Sequence, residues 1–317
     1  MTSNSDAPRS LLDAVEPDIA EHLVSRRDAL RKGAAVSSRM ATALAIGSVP
    51  IALAALSREA GAQSTGVTDV LSFALMLEIF ENEFYKAVLG TSSSAAQNSA
   101  FATVRALVPA AALPAIQQIQ KHEASHVAFL QANGATNVLN LTAASFDFTG
   151  ARGAGNGPFA RATTELQFLL LVAQAAEDTG VRAYKGQAPN LMSNPTVLEA
   201  ALRIHSVEAR HASKIRRLRR SSGAPSVVRY SGTVSTSGAA AAGAGNVSNP
   251  PQAVVDALNL IYANEATTTQ GSVALSSLSN LPAGIDIGTA GSEAFDEPLT
   301  KDQVRTIVQP FFIPTIP

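Results

Sequence analysis

Glu123 and His126 stand three residues apart in KHEASHVAFL, and Glu208 and His211 repeat that spacing in HSVEARHASK. On a helix, residues three apart lie about one turn from each other and can point the same way. A carboxylate and an imidazole placed like this could serve one metal ion together. A single Glu-x-x-His is weak evidence, because a solvated helix face produces it as readily. Two of them, in a chain with five histidines, carry more weight.

Two further glutamates sit inside apolar stripes: Glu78 in MLEIFENEFY and Glu177 in QAAEDTGVRAY. Each is followed seven residues later by a tyrosine, Tyr85 and Tyr184. The chain therefore reads twice as Glu, Tyr, then Glu-x-x-His, a duplication of chemistry. Heights also agree. Glu78 lies about 11 residues before its helix ends and Glu123 about 9 after the next begins, a difference of roughly 3 Å. For Glu177 and Glu208 the mismatch is roughly 6 Å, within the error of helix ends read from sequence. Four carboxylates can thus meet at one level, where each unpaired buried charge costs several kcal/mol. Two divalent cations would neutralise them, and two imidazoles would complete the coordination. The chain has no cysteine, so a metal would rest on carboxylate and imidazole, which suits iron, manganese or zinc.

Nearby residues compete for the same roles. Glu81, one turn after Glu78, is a substitute ligand, with Glu78 preferred because Leu71, Ala74 and Leu75 share its face; Glu83 points elsewhere. His122 shares the side of His126 but has no counterpart in the second motif, so His126 is favoured. His205 reads as a surface or supporting group. Tyr85 and Tyr184 read as core residues whose hydroxyls approach the site.

The elements that must hold these residues are helices. Residues 67–89 have helical apolar spacing and stop at Gly90. A second helix is expected over about 114–132, ending at Asn133–Gly134. Residues 135–157 lack a sustained period and are long enough to cross a bundle. A third helix is expected to open with Pro158 in its first turn and reach about Gly186. A fourth, capped by Asn194 with Pro195 at its first position, continues to about Arg220. The connections read as short, long, short. The expected fold is all-α, a four-helix bundle with one long crossover. KIRRLRR, at the end of the fourth helix, suits the negative end of the helix dipole. Beyond Gly223 the character changes: SGAAAAGAGNVSNPP reads as a linker. PQAVVDALNLIYANEA reads as a further helix, and Thr300 with Gln303 as the capping box of a short last one. This extension is expected to pack on the bundle or on a partner, a second copy of the chain or an envelope component.

The first 62 residues read as an address. Arg26–Arg27, an apolar run from Met40 to Leu56 and an Ala60-x-Ala62 site resemble a twin-arginine export signal of bacteria, with an uncleaved anchor as the alternative. The mature chain is expected to be periplasmic or extracellular, without a stable membrane span. The domains are then the signal at 1–62, the bundle at 63–222 and the extension at 223–317. With 317 residues, 46% apolar and 15% charged, the chain can bury a sizeable core. A net charge of −1 argues against nucleic acid as a partner.

The order Glu, Glu-x-x-His, Glu, Glu-x-x-His on four helices resembles the di-iron carboxylate site of the ferritin-like superfamily, over roughly residues 67–220. That resemblance implies Glu78 and Glu177 as single-glutamate ligands and Glu123 and Glu208 as bridges. His126 and His211 would cap one metal each, and the same six residues would be the catalytic set. It implies two iron ions as cofactor, with O2 or H2O2 as partners in the oxidation of Fe(II). Two manganese ions dismuting peroxide, or a non-enzymatic envelope or stress protein with a structural metal, are the alternatives. The leader and the ending AFDEPLTKDQVRTIVQPFF resemble exported bacterial ferritin-like proteins related to desiccation-related proteins, which implies a role in stress. The long extension departs from compact ferritins, so cage assembly and bulk storage are not implied.

Overall fold

The computed structural model describes residues 65–222, 247, 249–270, 272–278, 281 and 284–317. The expected signal with Arg26–Arg27 and Ala60-x-Ala62, and most of the expected linker, lie outside the described residues. The described chain is mostly helical, and a bundle is built from α1 (Thr65–Leu89), α4 (Leu113–Ala132), α5 (Leu166–Gln187) and α6 (Pro195–Ser221). Helix α1 pairs along its length with α4, and α5 with α6. Among the described residues no helix is long and apolar enough to cross a membrane.

Local chemistry sets the helix ends. Gly90, at φ +78°, takes the left-handed conformation that closes α1 without a Cβ penalty. The carbonyls left over there are bonded by Arg105, whose guanidinium donates to Val88 O at 2.8 Å and Ala87 O at 2.9 Å. Asn194 caps α6 by accepting from Val197 N at 3.1 Å, and Pro195 occupies the first turn.

Two expectations need correction. The first connection is not a plain short loop: it carries α2 (Ala95–Ala100) and α3 (Ala102–Leu107). The third bundle helix begins at Leu166, not at Pro158. Ahead of it Glu165 is extended, at φ −121° and ψ 119°, after a 3-10 turn over Ala160–Thr163. Tertiary contacts override the proline signal there. Phe159 N donates to Thr149 O at 2.9 Å, and its ring packs on Phe311 with centroids 4.7 Å apart. That ties the segment back to the crossover, and the β-branched pair Thr163–Thr164 adds little helix preference.

The crossover, residues 133–165, holds its shape without helical period around Asp147. Its carboxylate accepts from Thr149 N at 2.9 Å, Thr149 Oγ1 at 2.6 Å, Gly153 N at 2.8 Å and Gly155 N at 3.1 Å. Against it lies the C-terminal extension: α7 (Gln252–Ile261), a hairpin of β1 (Thr269–Gln270) and β2 (Val273–Ala274), α8 (Ile287–Ala294) and α9 (Lys301–Val308). Thr300 and Gln303 form the capping box of α9. Asp147 N donates to Phe311 O at 2.8 Å and Ile313 N to Ser145 O at 3.0 Å.

The extension explains why α1 is buried at every position from Phe73 to Tyr85. One side faces the bundle. On the other, Phe80 stacks on Phe312 at 5.6 Å and meets Phe146, Phe148 and Phe311 within 5.9 Å. A helix buried on every side needs a cover on every side. The outer side of α5 is covered by α7 and α9, and Arg182, buried there, fastens the extension. Its guanidinium donates to Ile261 O, to Ala263 O at 2.6 Å and to Glu297 O at 2.5 Å, and pairs with Glu265 at 3.1 Å.

Candidate metal centre

Six side chains from four helices converge at mid-bundle. Glu78 comes from α1, Glu123 and His126 from α4, Glu177 from α5, and Glu208 and His211 from α6. All four glutamates are fully buried, at 0% exposure. They form two overlapping groups, Glu78, Glu123, His126 and Glu208 in one, and Glu123, Glu177, Glu208 and His211 in the other. Within each group one potential ligand atom per residue lies within 4.8 Å of the rest. Glu123 and Glu208 belong to both, as side chains placed between two cations must.

Polar atoms in a folded interior normally find hydrogen-bond partners. Here Glu123 Oε1, Glu177 Oε2, both oxygens of Glu208 and His211 Nδ1 are buried without one. They are not far apart: His211 Nδ1 stands 2.8 Å from Glu123 Oε1 and 3.4 Å from Glu177 Oε2. They approach without hydrogen-bond geometry, as lone pairs do around a shared cation. On the other side His126 Nδ1 lies 3.0 Å from Glu78 Oε2, 3.2 Å from Glu123 Oε2 and 3.1 Å from Glu208 Oε1. Hard oxygens and imidazole nitrogens in these numbers fit two divalent first-row cations.

The two tyrosines serve crosswise. Tyr184 of α5 donates to Glu78 Oε1 of α1 at 2.6 Å, and Tyr85 of α1 donates to Glu177 Oε1 of α5. Each bond turns one oxygen of its carboxylate outward and leaves the other for the centre. Burial, and then the charge of the bonded glutamate, hold both phenols well above their ordinary range, so both remain donors.

Among the protein groups alone, the charges are uneven. Burial and then the Glu208 charge push Glu123 well up, and burial lifts Glu177 to about 7 against the pull of His211. Burial would raise Glu208 as well, but His126 and His211 outweigh it and bring it to about 2. Burial would lower both imidazoles. The Glu78 charge and contacts with Glu123 and Glu208 instead raise His126, and Glu123, Glu177 and Glu208 raise His211 to about 12. The cluster draws positive charge to itself, and protons on the imidazoles are its internal supply.

The competing residues separate. Glu83 pairs with Lys86 at 2.7 Å, away from the centre. His205 is half-buried and outside both groups. His122 is also outside them, yet its Nδ1 lies 2.9 Å from His211 Nε2, and its Nε2 lies 2.7 Å from Gln118 Nε2. The rings of His122 and His211 stack at 5.2 Å, so His122 orients His211 from behind. Sequence reasoning saw His122 only as a rival of His126; its place beside the second motif depends on how α4 and α6 cross. Glu81 is buried at 3% exposure beside the cluster.

Residues 66–221 match the model of a family described as ferritin-like domain. No curated protein and no solved structure matches the chain.

Proposed function

Because residues 66–221 form a domain of the ferritin-like family, we propose that the chain holds a pair of iron ions at Glu78, Glu123, His126, Glu177, Glu208 and His211. There it oxidises Fe(II) with O2 or peroxide. The observation that carries this reading is the set of five buried, unpartnered ligand atoms spread over two groups that share Glu123 and Glu208. When bound, two Fe(II) ions supply the two electrons that reduce one peroxide, with two protons, to two waters. The chain's own residues do the rest. Glu123 and Glu208 reach both positions, Tyr85 and Tyr184 aim the outer carboxylates, and His122 steadies His211. The apolar shell of α1 and α5 keeps bulk water from the centre. Loading must displace protons from the imidazoles, so uptake of metal is accompanied by proton release.

The test is metal quantification on protein from its native compartment, before any chelator, with Glu123→Ala, Glu208→Ala and Glu83→Ala beside wild type. About two ions per chain are expected, with large losses in the first two variants and little in the third. Unchanged metal content in both bridging variants overturns the assignment. Manganese in place of iron, with peroxide dismutation, would move the reading to a dimanganese enzyme. Metal-dependent folding with no turnover would leave a structural site.

Arg26–Arg27 and Ala60-x-Ala62 support export of the folded chain by a twin-arginine route and a mature form beginning near Gln63. N-terminal sequencing of the exported protein tests this; a mature form that retains Arg26–Arg27 overturns it. An exported position and peroxide chemistry together support a part in oxidative or desiccation stress.

A further inference from the structure

The two halves of the duplication that builds the centre differ in charge at a buried position one turn beyond the single glutamate. Three residues after Glu78 stands Glu81, and three residues after Glu177 stands Gly180. The two meet. A Cβ built on Gly180 would lie 3.2 Å from Glu81 Oε1 and 3.6 Å from Glu208 Oε2. The missing side chain is thus the space over which the extra carboxylate faces an unpartnered oxygen of Glu208. Glu81 itself has no hydrogen bond or ion pair with any described residue, although only 3% of it is exposed. An unpaired carboxylate so placed beside four others costs several kcal/mol unless a proton or a cation compensates it. Nothing on its own helix does so.

The direction in which Glu81 faces is also informative. Its Oε1 is the atom nearest the Cβ position of Gly180 on α5, and the next nearest is Glu208 Oε2. Glu208 Oε2 is the oxygen on the His211 side, 3.6 Å from His211 Nδ1. Glu81 therefore leans across the bundle toward the group of Glu123, Glu177, Glu208 and His211.

We propose that Glu81 is a seventh protein ligand, specific to the metal position of Glu177 and His211, and that Gly180 is the clearance through which its carboxylate reaches that metal. The proposal rests on the di-metal reading above. It makes the two positions unequal: one has Glu78 and His126, the other has Glu177, His211 and a carboxylate from the opposite hairpin.

Anaerobic titration of the full chain with Co(II), followed by its ligand-field absorption, tests this in Glu81→Gln, which keeps size and removes charge. Wild type is expected to take two equivalents. Glu81→Gln should weaken one equivalent about tenfold or more, with a changed spectrum for that equivalent, and leave the other as it was. In a His126→Ala background the remaining equivalent should be the sensitive one; in a His211→Ala background it should be indifferent to Glu81→Gln. Gly180→Ala, which narrows the clearance without touching charge, should give the same selective loss. Two unaltered equivalents in Glu81→Gln overturn the proposal while leaving the di-metal reading intact. Equal weakening of both equivalents overturns it too. Failure of wild type to bind cobalt defeats the di-metal reading and this proposal with it.

Discussion

Tyr184 donates its hydroxyl to Glu78 Oε1, and no other described residue bonds that oxygen. Tyr184→Phe should therefore cost about 1–3 kcal/mol, because a buried acceptor loses its donor, and should also loosen the Glu78 carboxylate. Chemical denaturation and metal affinity are expected to fall together; a loss of stability at unchanged affinity would limit Tyr184 to packing. Charge gives a second expectation. Glu177 stands at about 7 against an ordinary 4.5, and His211 at about 12 against 6.5. Between those values the fold holds protons that the unfolded chain releases. The stability they contribute is complete below about pH 4.5 for Glu177 and below about pH 6.5 for His211. It is lost as pH climbs through about 7 and on toward about 12. Glu208, at about 2, acts in the other sense, but only below about pH 4.5. The metal-free thermal midpoint should thus fall from about pH 5 to about pH 9, and the metal-loaded one should change much less. A metal-free midpoint that rises over that range refutes the charge arrangement. Glu78 and Glu177 were legible in the sequence as charges inside apolar stripes, and Glu123, His126, Glu208 and His211 as a repeated Glu-x-x-His. The service of His122 to His211 was not, since it depends on where two helices cross.

At the scale of elements, the four long helices were legible from spacing and from punctuation such as Gly90 and the Asn194–Pro195 pair. What local signals could not give was decided by contacts far along the chain. Pro158 promised a helix start that the packing of Phe159 on Phe311 and its bond to Thr149 O cancel. KIRRLRR does bring Arg219 and Arg220 into the last turn of α6, but spacing alone did not show that Arg216 bonds Asp178 or that Arg219 is buried against Gln174 Oε1 at 2.7 Å. Arg182, in the run GVRAYKG, resembles any surface arginine, and instead it holds α5 to the extension. Arg182→Ala would leave Glu265 buried without its cation and three carbonyls without their donor. A loss of about 3–5 kcal/mol is expected, the usual cost of breaking a buried pair from one side. Limited proteolysis should then cut within residues 262–298 first. Wild-type protease resistance in that variant would show the extension is held mainly by its apolar contacts.

For the whole molecule, the rings of Phe80, Phe146, Phe148, Phe311 and Phe312 are where bundle, crossover and extension become one body. Phe312 is fully buried there, so Phe312→Ala should cost about 3–5 kcal/mol by cavity formation. Equilibrium denaturation checks the size of that loss, and its division between rates is informative. Helices α1 and α4 are neighbours in the chain and can pair early, as can α5 and α6. The ring cluster must join stretches from opposite ends of the described chain, which closes the longest loops and belongs to the later part of folding. Phe312→Ala should accordingly speed unfolding strongly and leave refolding nearly unchanged in stopped-flow measurements. The extension would then act as a clasp in time, setting how long the assembled centre survives between openings while the hairpins set how soon it forms.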